Sequence, residues 1–451
     1  MVVQTIRGIQ GTKDAGAEWY RLLSLIFTRE LGMVPATGNK GLFYWQHEGH
    51  TALLALATDD ILLAATHKSL YIKLQSVFDN YFAYTTNDDK VIQFLNYRII
   101  QSEFGTSIDQ YNHIRQTMLQ VFFPNNDVVP FQSSPFPLET SIEMDLFKAQ
   151  PLTEEENMAM AKRYRGSYMH WVGALLHIAD KSRWDMAYLA MRLSGYNNSP
   201  TTVCYKILYQ GMCYLYHHPL VPIMYPKTTP SQTQGLSSHF GKGDGEIKKG
   251  IDMNMKGMAA WADGDLARDI TARRSTTSTI HTWGEVAFAS QCVKQADIAA
   301  STNDSEIRSM FHATKRTLLY RSILRSMGMT QDVPTPTHED NAAAISQVMS
   351  DRLTPRVKHI DTLISFLNEQ YSRQRIVPIT TPSHAQKGDM NTKPHGGSTL
   401  QTKYLSMIGH QFYPPPFSTH FKQLQLDEFN INIHRGSFLK SPPHHRDTST
   451  D

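Results

Sequence analysis

The sequence predicts a multidomain protein of the α+β and α/β classes, and three observations lead to this prediction. The chain has 451 residues, 41% of them hydrophobic, which is long enough for about two to four domains with cores of their own. Two stretches rich in Pro, Ser, Thr or Gly, at 124–153 and 226–250, interrupt the apolar pattern. The spacing of apolar residues changes from one side of each break to the other, which indicates units of different secondary structure.

The segments are predicted in order along the chain. Residues 1–123 are dense in apolar and aromatic residues, and 124–225 form a linker followed by helices, because apolar residues recur there at spacings of three and four. Residues 226–250 predict a flexible linker. In 251–393 short strand-like runs precede a long amphipathic helix, which is an α/β pattern. The remainder, 394–451, has little periodicity, so a largely disordered tail is expected.

Composition excludes several classes of protein. The net charge is +3, from 44 basic and 41 acidic residues, and this is too small to indicate nucleic-acid binding by itself. Three cysteines without a CxxC pair argue against a disulfide framework or a zinc site and favour a reducing, intracellular compartment. No signal peptide or membrane segment is predicted. The sequence also lacks a Walker loop, a GxSxG elbow and an HExxH motif.

Two adjacent aspartates, Asp59 and Asp60, interrupt the apolar run ALLALATDDILLAA. The run predicts two strands joined by a turn that places both carboxylates at the rim of a sheet. Adjacent carboxylates repel each other unless a cation neutralises them, and nucleotidyl transfer uses two metal ions that such a pair could hold. The alternative is an ordinary Asp-Asp turn, because Asp is a favoured turn residue.

Four further acidic residues stand at the ends of separate predicted elements in the third unit. A strand-like run ends near Asp263, a helix begins near Glu306, another helix follows Asp340, and a short NTK segment follows Asp389. Two-metal hydrolysis of a phosphodiester needs carboxylates that converge from different elements. The alternative for any one of these residues is a solvated surface charge.

Ordered sequence blocks resemble those of copia-type retrotransposon Pol polyproteins, from the C-terminal part of the reverse transcriptase through the ribonuclease H domain. The blocks in the first half are GIQGTKDAGAEWY (8–20), LATDDILLA (56–64), QFLNYRII (93–100), SIDQYNHIRQTML (107–119) and YRGSYMHWVGALLHIADKSRWDMAYLA (164–190). The resemblance implies a partial reverse transcriptase over 1–123, on the palm and thumb side and without fingers. It also implies a helical connection region over 124–225.

The same resemblance assigns Asp59 and Asp60 to the catalytic, metal-binding hairpin of the polymerase, and Lys13 and Trp19 to its primer or nucleotide surface. For Trp19, packing of a helix residue on the palm is the alternative. The family's further metal-binding aspartate lies upstream of these blocks, so polymerase activity is expected to be absent from this chain. The blocks also depart from the family pattern at Asp14, Ala17, Ala57 and Asn96.

The blocks in the second half resemble the ribonuclease H pattern. They are ADGDLA (262–267), RRSTTS (273–278), STNDSEIRS (301–309), EDNAAAI (339–345), KHID (358–361) and GDMNTK (388–393). The resemblance implies a ribonuclease H-like mixed sheet of about five strands over 251–393. It gives catalytic, metal-ligand roles to four residues, Asp263, Glu306, Asp340 and Asp389, with Asp265 as a more doubtful neighbour. The sequence departs from the pattern at Arg308 and Ser365.

Basic residues in these blocks are candidates for nucleic-acid contacts. Arg273 and Arg274, beside Ser275, could bind phosphates of an RNA/DNA hybrid, because arginine forms paired hydrogen bonds to phosphate oxygens. An exposed basic turn is the alternative. Lys358 and His359 could approach the nucleic-acid backbone in the same way; for His359, capping or packing of a helix is the alternative. His384 could carry protons near Asp389, or be a loop histidine without a role.

These expectations together predict magnesium- or manganese-dependent hydrolysis of RNA in RNA/DNA hybrids. The expected partners are an RNA/DNA hybrid or a primer-template, and other Pol fragments. The expected location is intracellular, in a cytoplasmic virus-like particle or in the nucleus. The alternative is a catalytically silent remnant of a retroelement that at most binds nucleic acid, as the departures from the family pattern would allow.

Overall fold

The computed structural model describes residues 15–87, 89–124, 128–227, 257–270, 272–350 and 360–410. Lys13, Lys358, His359 and most of the predicted linker at 226–250 lie outside these ranges. Within them, no helix combines the length and the hydropathy needed to cross a membrane. The predicted fold class is confirmed, because helices and three separate sheets make up a multidomain α+β structure.

The first sheet is antiparallel and is covered by two helices. Its elements are α1 (Ala15–Leu25), a π-helical turn (Ile26–Glu30), β1 (Val34–Pro35), β2 (Leu42–His47), β3 (His50–Ala57), β4 (Asp60–Ala65) and α2 (Lys68–Phe78), and the strands lie in sequence order. Phe43 of β2 pairs with Leu54 of β3. Both side chains are buried on the face that meets Phe27 and Phe78. Alternate apolar residues in two neighbouring strands thus give this sheet one buried face.

The second sheet joins two distant parts of the chain. β5 (Val91–Phe94), β6 (Tyr97–Gln101) and β7 (Gly105–Asp109) form an antiparallel meander, and β8 (Ile223–Pro226) adds to its edge beside β7. The residues between β7 and β8 are mainly helical. They form α3 (Tyr111–His113), a π-helical turn (Ile114–Leu119), α4 (Gln120–Phe122), α5 (Ile142–Lys148), α6 (Glu154–Arg163), α7 (Tyr168–Lys181), a 3-10 turn (Trp184–Met186), α8 (Ala187–Ser194) and α9 (Thr202–His217).

Side-chain caps begin three of these helices. Thr153 and Glu156 form a reciprocal capping box at α6, and the hydroxyls of Ser167 and Thr201 accept backbone N–H groups at the starts of α7 and α9. Each cap satisfies a backbone donor that the helix itself leaves unpaired. The apolar faces of α7, α8 and α9 then pack on one another around Trp171, which is fully buried.

A buried ion pair lies at the start of α8. Arg183 donates two hydrogen bonds to the carboxylate of Asp185, at 2.9 Å from Nε and 2.7 Å from Nη2. The Tyr214 hydroxyl donates to the same carboxylate at 2.9 Å. Both charged side chains are at most 1% exposed, so the paired charges and the added donor satisfy groups that would be costly to bury alone.

The third sheet is the five-stranded mixed sheet that the resemblance predicts. Its strands are β9 (Met258–Asp265), β10 (Thr276–Trp283), β11 (Val286–Lys294), β12 (Thr335–Glu339) and β13 (Ile376–Thr380), in the order β11-β10-β9-β12-β13. The first three are antiparallel, whereas β12 runs parallel to β9 and β13 parallel to β12. The long helix α10 (Thr302–Ser326) connects β11 to β12, and α11 (Ala342–Met349) and α12 (Asp361–Ser372) connect β12 to β13.

Both faces of the third sheet are buried. On one face Ala262 of β9 packs against Ile307 and Met310 of α10. On the other face Trp261, Ile280 and Val286 belong to the same core as the helices between β7 and β8. This second core also contains Ile114 and Met118, so it continues across the predicted boundary at residue 123. The division of the chain into separate domains stays a prediction.

The expectation of a largely disordered tail from residue 394 needs correction for residues 397–410. A helix, α13 (Gly397–Met407), forms there and buries Leu400, Tyr404 and Met407 in the core it shares with α7 and α8. The Tyr404 hydroxyl donates to the backbone oxygen of Ser182 at 2.7 Å. The helix is short and its apolar residues are few, so packing on another part of the chain, rather than local pattern, stabilises it.

We expect a Tyr404→Ala substitution to lower the free energy of unfolding of the whole chain by about 3–5 kcal/mol, because it leaves a cavity in a packed core. Urea denaturation followed by tryptophan fluorescence measures this. Thr399→Ala, at an exposed position of the same helix, is the matched control and should change stability by less than about 0.5 kcal/mol. Equal stability of the two variants would show that α13 is not docked.

Candidate metal and nucleic-acid site

Three of the predicted carboxylates converge at one edge of the third sheet. Asp263 lies near the end of β9, Glu306 lies in the N-terminal part of α10, and Asp340 follows β12 directly. One carboxylate oxygen of each lies within 4.8 Å of the other two. The strands β9 and β12 are parallel neighbours, so their carboxyl ends meet at the same edge, and α10 packs across β9.

Two glycines allow the backbone to come close enough for this convergence. A Cβ atom on Gly264 would lie 2.7 Å from the backbone oxygen of Ser305. The strand β9 and the helix α10 are therefore in direct contact at the residue that precedes Glu306. A Cβ atom on Gly388 would lie 2.6 Å from the Cβ of Asp263. Gly388 begins the 3-10 turn Gly388–Asn391, which carries Asp389 to the same edge. Only glycine fits such contacts without displacement.

Burial perturbs these acidic groups. Burial raises the pKa of Asp263 to about 7, the Thr392 hydroxyl opposes the shift by donating to the carboxylate, and the negative charges of Asp389 and Asp340 add to it. Burial and the carboxylate of Glu339 raise the pKa of Glu306. Carboxylates held close together in a buried site repel each other, so either protonation of one of them or binding of a cation is favoured.

Glu339 is a buried acid of the site that the sequence analysis missed. It ends β12, is fully buried, and accepts hydrogen bonds from the backbone N–H groups of Asp340 and Asn341 at 3.0 and 3.1 Å through one oxygen. Burial raises its pKa. Its position in the EDN block, directly before Asp340, was the available signal, but the sequence did not show that both side chains turn towards the same edge.

Among the three converging carboxylates and Glu339 beside them, two oxygens lack a hydrogen-bond donor among the described residues. They are Oε2 of Glu306 and Oε2 of Glu339, and each is buried. An unpaired carboxylate oxygen is costly to bury, whereas oxygen ligands of this kind are those that magnesium and calcium prefer. The donor set therefore fits a hard divalent cation.

Asp389, the fourth predicted carboxylate, has different partners. It is not one of the three whose oxygens lie within 4.8 Å of one another. Its Oδ1 lies 2.5 Å from Nζ of Lys393, and its Oδ2 lies 2.7 Å from Nζ of Lys403. Burial acts in the opposite direction, but the two ammonium groups hold the pKa of Asp389 below its ordinary value. Asp265, the doubtful neighbour, pairs with Arg268 at 2.6 Å.

The remaining predicted residues near this edge are also placed. Arg273 and Arg274 are exposed, in the loop before β10. Ser275 is fully buried and its hydroxyl accepts the backbone N–H of Ala267, so it is not available to a phosphate as the sequence suggested. His384 is exposed, and its neighbour Ser383 donates to Asp340 Oδ2 at 2.8 Å.

The departures from the family pattern in α10 and α12 leave the carboxylates in place. Arg308 donates to Asp304 at 2.7 Å and lies 3.3 Å from Asp297, so its charge is neutralised on α10 and the loop before it. Ser365 is exposed on α12. Neither residue blocks the edge where Asp263 and Glu306 meet.

The other predicted pair lies far along the chain in a different environment. The turn between β3 and β4 presents Asp59 and Asp60 to solvent, as the strand-turn-strand pattern indicates. Within the described residues no third metal-ligating side chain joins them. Trp19 packs edge-on against Phe82, with ring centroids 5.2 Å apart, and its indole N–H donates to the backbone oxygen of Thr58 at 2.9 Å. Trp19 thus supports the turn.

Comparison with curated proteins gives relatives over most of the chain, although no protein-family model matches it. The retrovirus-related Pol polyprotein from transposon RE1 of Arabidopsis thaliana is 23% identical over 412 residues, which are 91% of this chain and 25% of that protein. The Pol polyprotein from transposon RE2 of the same plant is 24% identical over 410 residues. That from transposon TNT 1-94 of Nicotiana tabacum is 23% identical over 399 residues. The chain spans about a quarter of the length of these relatives.

Solved structures with some similarity are ribonucleases H. One, isolated from compost, is 9% identical and has a TM-score of 0.25, with 33% of this chain and 97% of that one covered. The N-terminal ribonuclease H domain of a Mycobacterium tuberculosis protein is 10% identical, with a TM-score of 0.24 and coverage of 33% and 96%. The compost enzyme was also solved in complex with an RNA/DNA hybrid, and that structure has a TM-score of 0.23.

We expect Gly264→Ala to lower the free energy of unfolding by about 1–3 kcal/mol, because its Cβ would overlap the backbone of α10. Gly173→Ala is the matched control. No atom lies within 4 Å of the position its Cβ would take, and its place inside α7 predicts a gain of up to about 1 kcal/mol.

Chemical denaturation of both variants measures the difference. A Gly264→Ala protein as stable as the parent would contradict the close contact between β9 and α10.

Taken with the sequence blocks, the comparisons confirm the predicted resemblance: over most of its length this chain is similar to retrovirus-related Pol polyproteins of plant transposons.

Proposed function

We propose that this chain hydrolyses RNA in RNA/DNA hybrids with magnesium or manganese, as the ribonuclease H part of a copia-type Pol polyprotein. The observation that carries the proposal is the convergence of Asp263, Glu306 and Asp340 within 4.8 Å. A strand, a helix and the residue directly after a second strand supply these carboxylates, and the pairing of β9 with β12 brings the two strand ends together. Asp263 and Glu306 are buried and Asp340 is half-buried, and acidic groups that the fold brings together in this way, with raised pKa values, are characteristic of a functional site.

The carboxylates would hold the cation in a defined way. Asp263, Glu306 and Asp340 would be its ligands, with Glu339 behind them. A bound divalent cation supplies Lewis-acid stabilisation of a phosphate oxygen and lowers the pKa of a bound water. The hydroxyls of Thr392 and Ser383 donate to Asp263 Oδ2 at 2.5 Å and to Asp340 Oδ2 at 2.8 Å. These neutral donors orient two ligands without adding positive charge.

The exposed arginines support a nucleic-acid substrate. Arg273 and Arg274 follow β9, the strand that carries Asp263, in the loop that leads to β10. Arg273 has a positive φ of 52°, and its backbone N–H donates to the backbone oxygen of Asp269 at 2.7 Å. The end of the loop thus presents two exposed guanidinium groups that are able to bind phosphates.

Hydrolysis is favoured over polymerisation for this chain by the contrast between its two acidic sites. The polymerase-like pair Asp59 and Asp60 is exposed, and no further ligand joins it among the described residues. In the ribonuclease H-like cluster Asp263 and Glu306 are buried and Asp340 is half-buried, and Oε2 of Glu306 has no hydrogen-bond donor among the described residues. We also propose an intracellular place of action, which is supported by the free thiols of Cys204, Cys213 and Cys292.

The first experiment is cleavage of a labelled RNA/DNA hybrid by the whole 451-residue chain with magnesium or manganese. We expect Asp263→Asn to lower the rate by about a hundredfold or more, because loss of a ligand removes several kcal/mol of charge stabilisation. The double variant Asp59→Asn/Asp60→Asn should cleave as the parent does. No cleavage by a folded parent chain would overturn the proposal in favour of a silent protein.

A second experiment tests the arginines by hybrid binding to the Asp263→Asn chain, measured by fluorescence anisotropy over a range of salt concentrations. We expect Arg273→Ala/Arg274→Ala to weaken binding to all hybrid sequences alike. The salt slope, which is the slope of the logarithm of the binding constant against the logarithm of the salt concentration, should decrease in magnitude by about 1 for each lost phosphate contact. Arg373→Ala is the control, since Arg373 is exposed directly after α12 and pairs with Glu369 at 2.8 Å. Equal salt slopes for the arginine pair variant and the control would exclude phosphate contacts by this loop.

A further inference from the structure

Both oxygens of the Asp389 carboxylate are bound to lysines. Lys393, four residues on, lies 2.5 Å from Oδ1, and Lys403 lies 2.7 Å from Oδ2. The carboxylate side chain is 9% exposed, so these contacts occur in a mainly buried place. Two positive charges therefore lie where the resemblance would place a metal ion beside Asp389.

The two lysines are held differently. Lys393 follows the 3-10 turn and its side chain is 39% exposed, whereas that of Lys403 is 21% exposed. Lys403 lies in α13 between Leu400 and Tyr404, both of which are buried in the core shared with α7 and α8. The helix therefore fixes the ammonium group of Lys403 against Asp389.

Asp263 lies next to this ion pair. The side chain of Thr392, in the same turn region, joins the two aspartates, since its hydroxyl donates to Asp263 Oδ2 and lies 3.3 Å from the backbone oxygen of Asp389. Among the described residues, no ion pair within 4.0 Å involves Asp263, Glu306 or Asp340, although the charge of Lys393 acts on Asp263. A cation held by these three carboxylates therefore displaces no ammonium group from them. A cation shared by Asp263 and Asp389 would meet the two lysines that hold Asp389, Lys393 at Oδ1 and Lys403 at Oδ2.

We propose that Lys403 is a positioning residue that occupies the place of a second cation at Asp389 and makes the two cation positions unequal. This inference rests on the proposed function. The position at Asp263, Glu306 and Asp340 binds a divalent ion tightly, and the position at Asp389 binds one only when it displaces the ammonium group of Lys403. A cation that binds Oδ2 of Asp389 takes the place of the ammonium group of Lys403, because two positive charges at the same oxygen would repel each other strongly.

The test measures manganese binding to the whole chain by electron paramagnetic resonance, in the absence of nucleic acid. We expect one tight ion and one weak ion per chain for the parent. Lys403→Met should bind the second ion about tenfold more tightly, which corresponds to about 1.4 kcal/mol. Lys403→Arg keeps the charge and should bind like the parent.

Two further variants complete the test. Lys73→Met removes an exposed lysine of α2 and is the charge-matched control, which should leave both ions unchanged. Asp389→Asn combined with Lys403→Met should abolish the gain, because the ligand of the second ion is then lost. Thermal unfolding of each variant shows that it is folded. Lys403→Gln, which also removes the charge, replaces Lys403→Met if that variant unfolds.

The outcomes separate the two proposals. Tight binding of one ion by the parent, with no change in Lys403→Met, would overturn the inference and leave the proposed function intact. Two equally tight ions in the parent would overturn it as well. If the parent binds no manganese at all, the cation site itself fails and the proposed function fails with it.

Discussion

The contact between β9 and α10 at Gly264 is the constraint on which the site depends. Because a Cβ on Gly264 would lie 2.7 Å from a backbone oxygen of α10, strand and helix touch there without side chains between them. The contact brings Glu306 to Asp263, and the parallel pairing of β12 with β9 adds Asp340. The repulsion among Asp263, Glu306 and Asp340 is balanced by the packing energy of the third sheet, both faces of which are buried, and of the helix α10 on one of them.

Helices that precede and follow the third sheet in the chain help to cover it. One face packs on α10, and the other shares a core with α7, α8 and α13. Arg192 of α8 adds a charged link, since its Nη1 lies 3.2 Å from Asp269 in the loop after β9. The helical region is therefore the second covering layer of the sheet as well as a connection between units, which is why the acids can be buried near a sheet edge.

What the sequence predicted well depends on local pattern. Five strands, a long helix after β11 and the positions of Asp263, Glu306 and Asp340 at element ends follow from runs of apolar residues and from ordered blocks. What it missed depends on contacts between distant residues. Glu339 reads as a neighbour of Asp340, α13 has too few apolar residues to stand out, and the pairing of Lys403 with Asp389 needs the fold. Ser275 looked available beside two arginines, but it is buried.

The strand β8 has a consequence for how the chain reaches this structure. It completes a sheet begun by β5, β6 and β7, yet all the helices from α3 to α9 lie between β7 and β8. Such a pairing has high contact order, and the sheet keeps an unpaired edge until the helices have been synthesised and packed. During translation the helices from α3 to α9 emerge before β8, and until β8 pairs, the edge of β7 is open to mispairing with another chain.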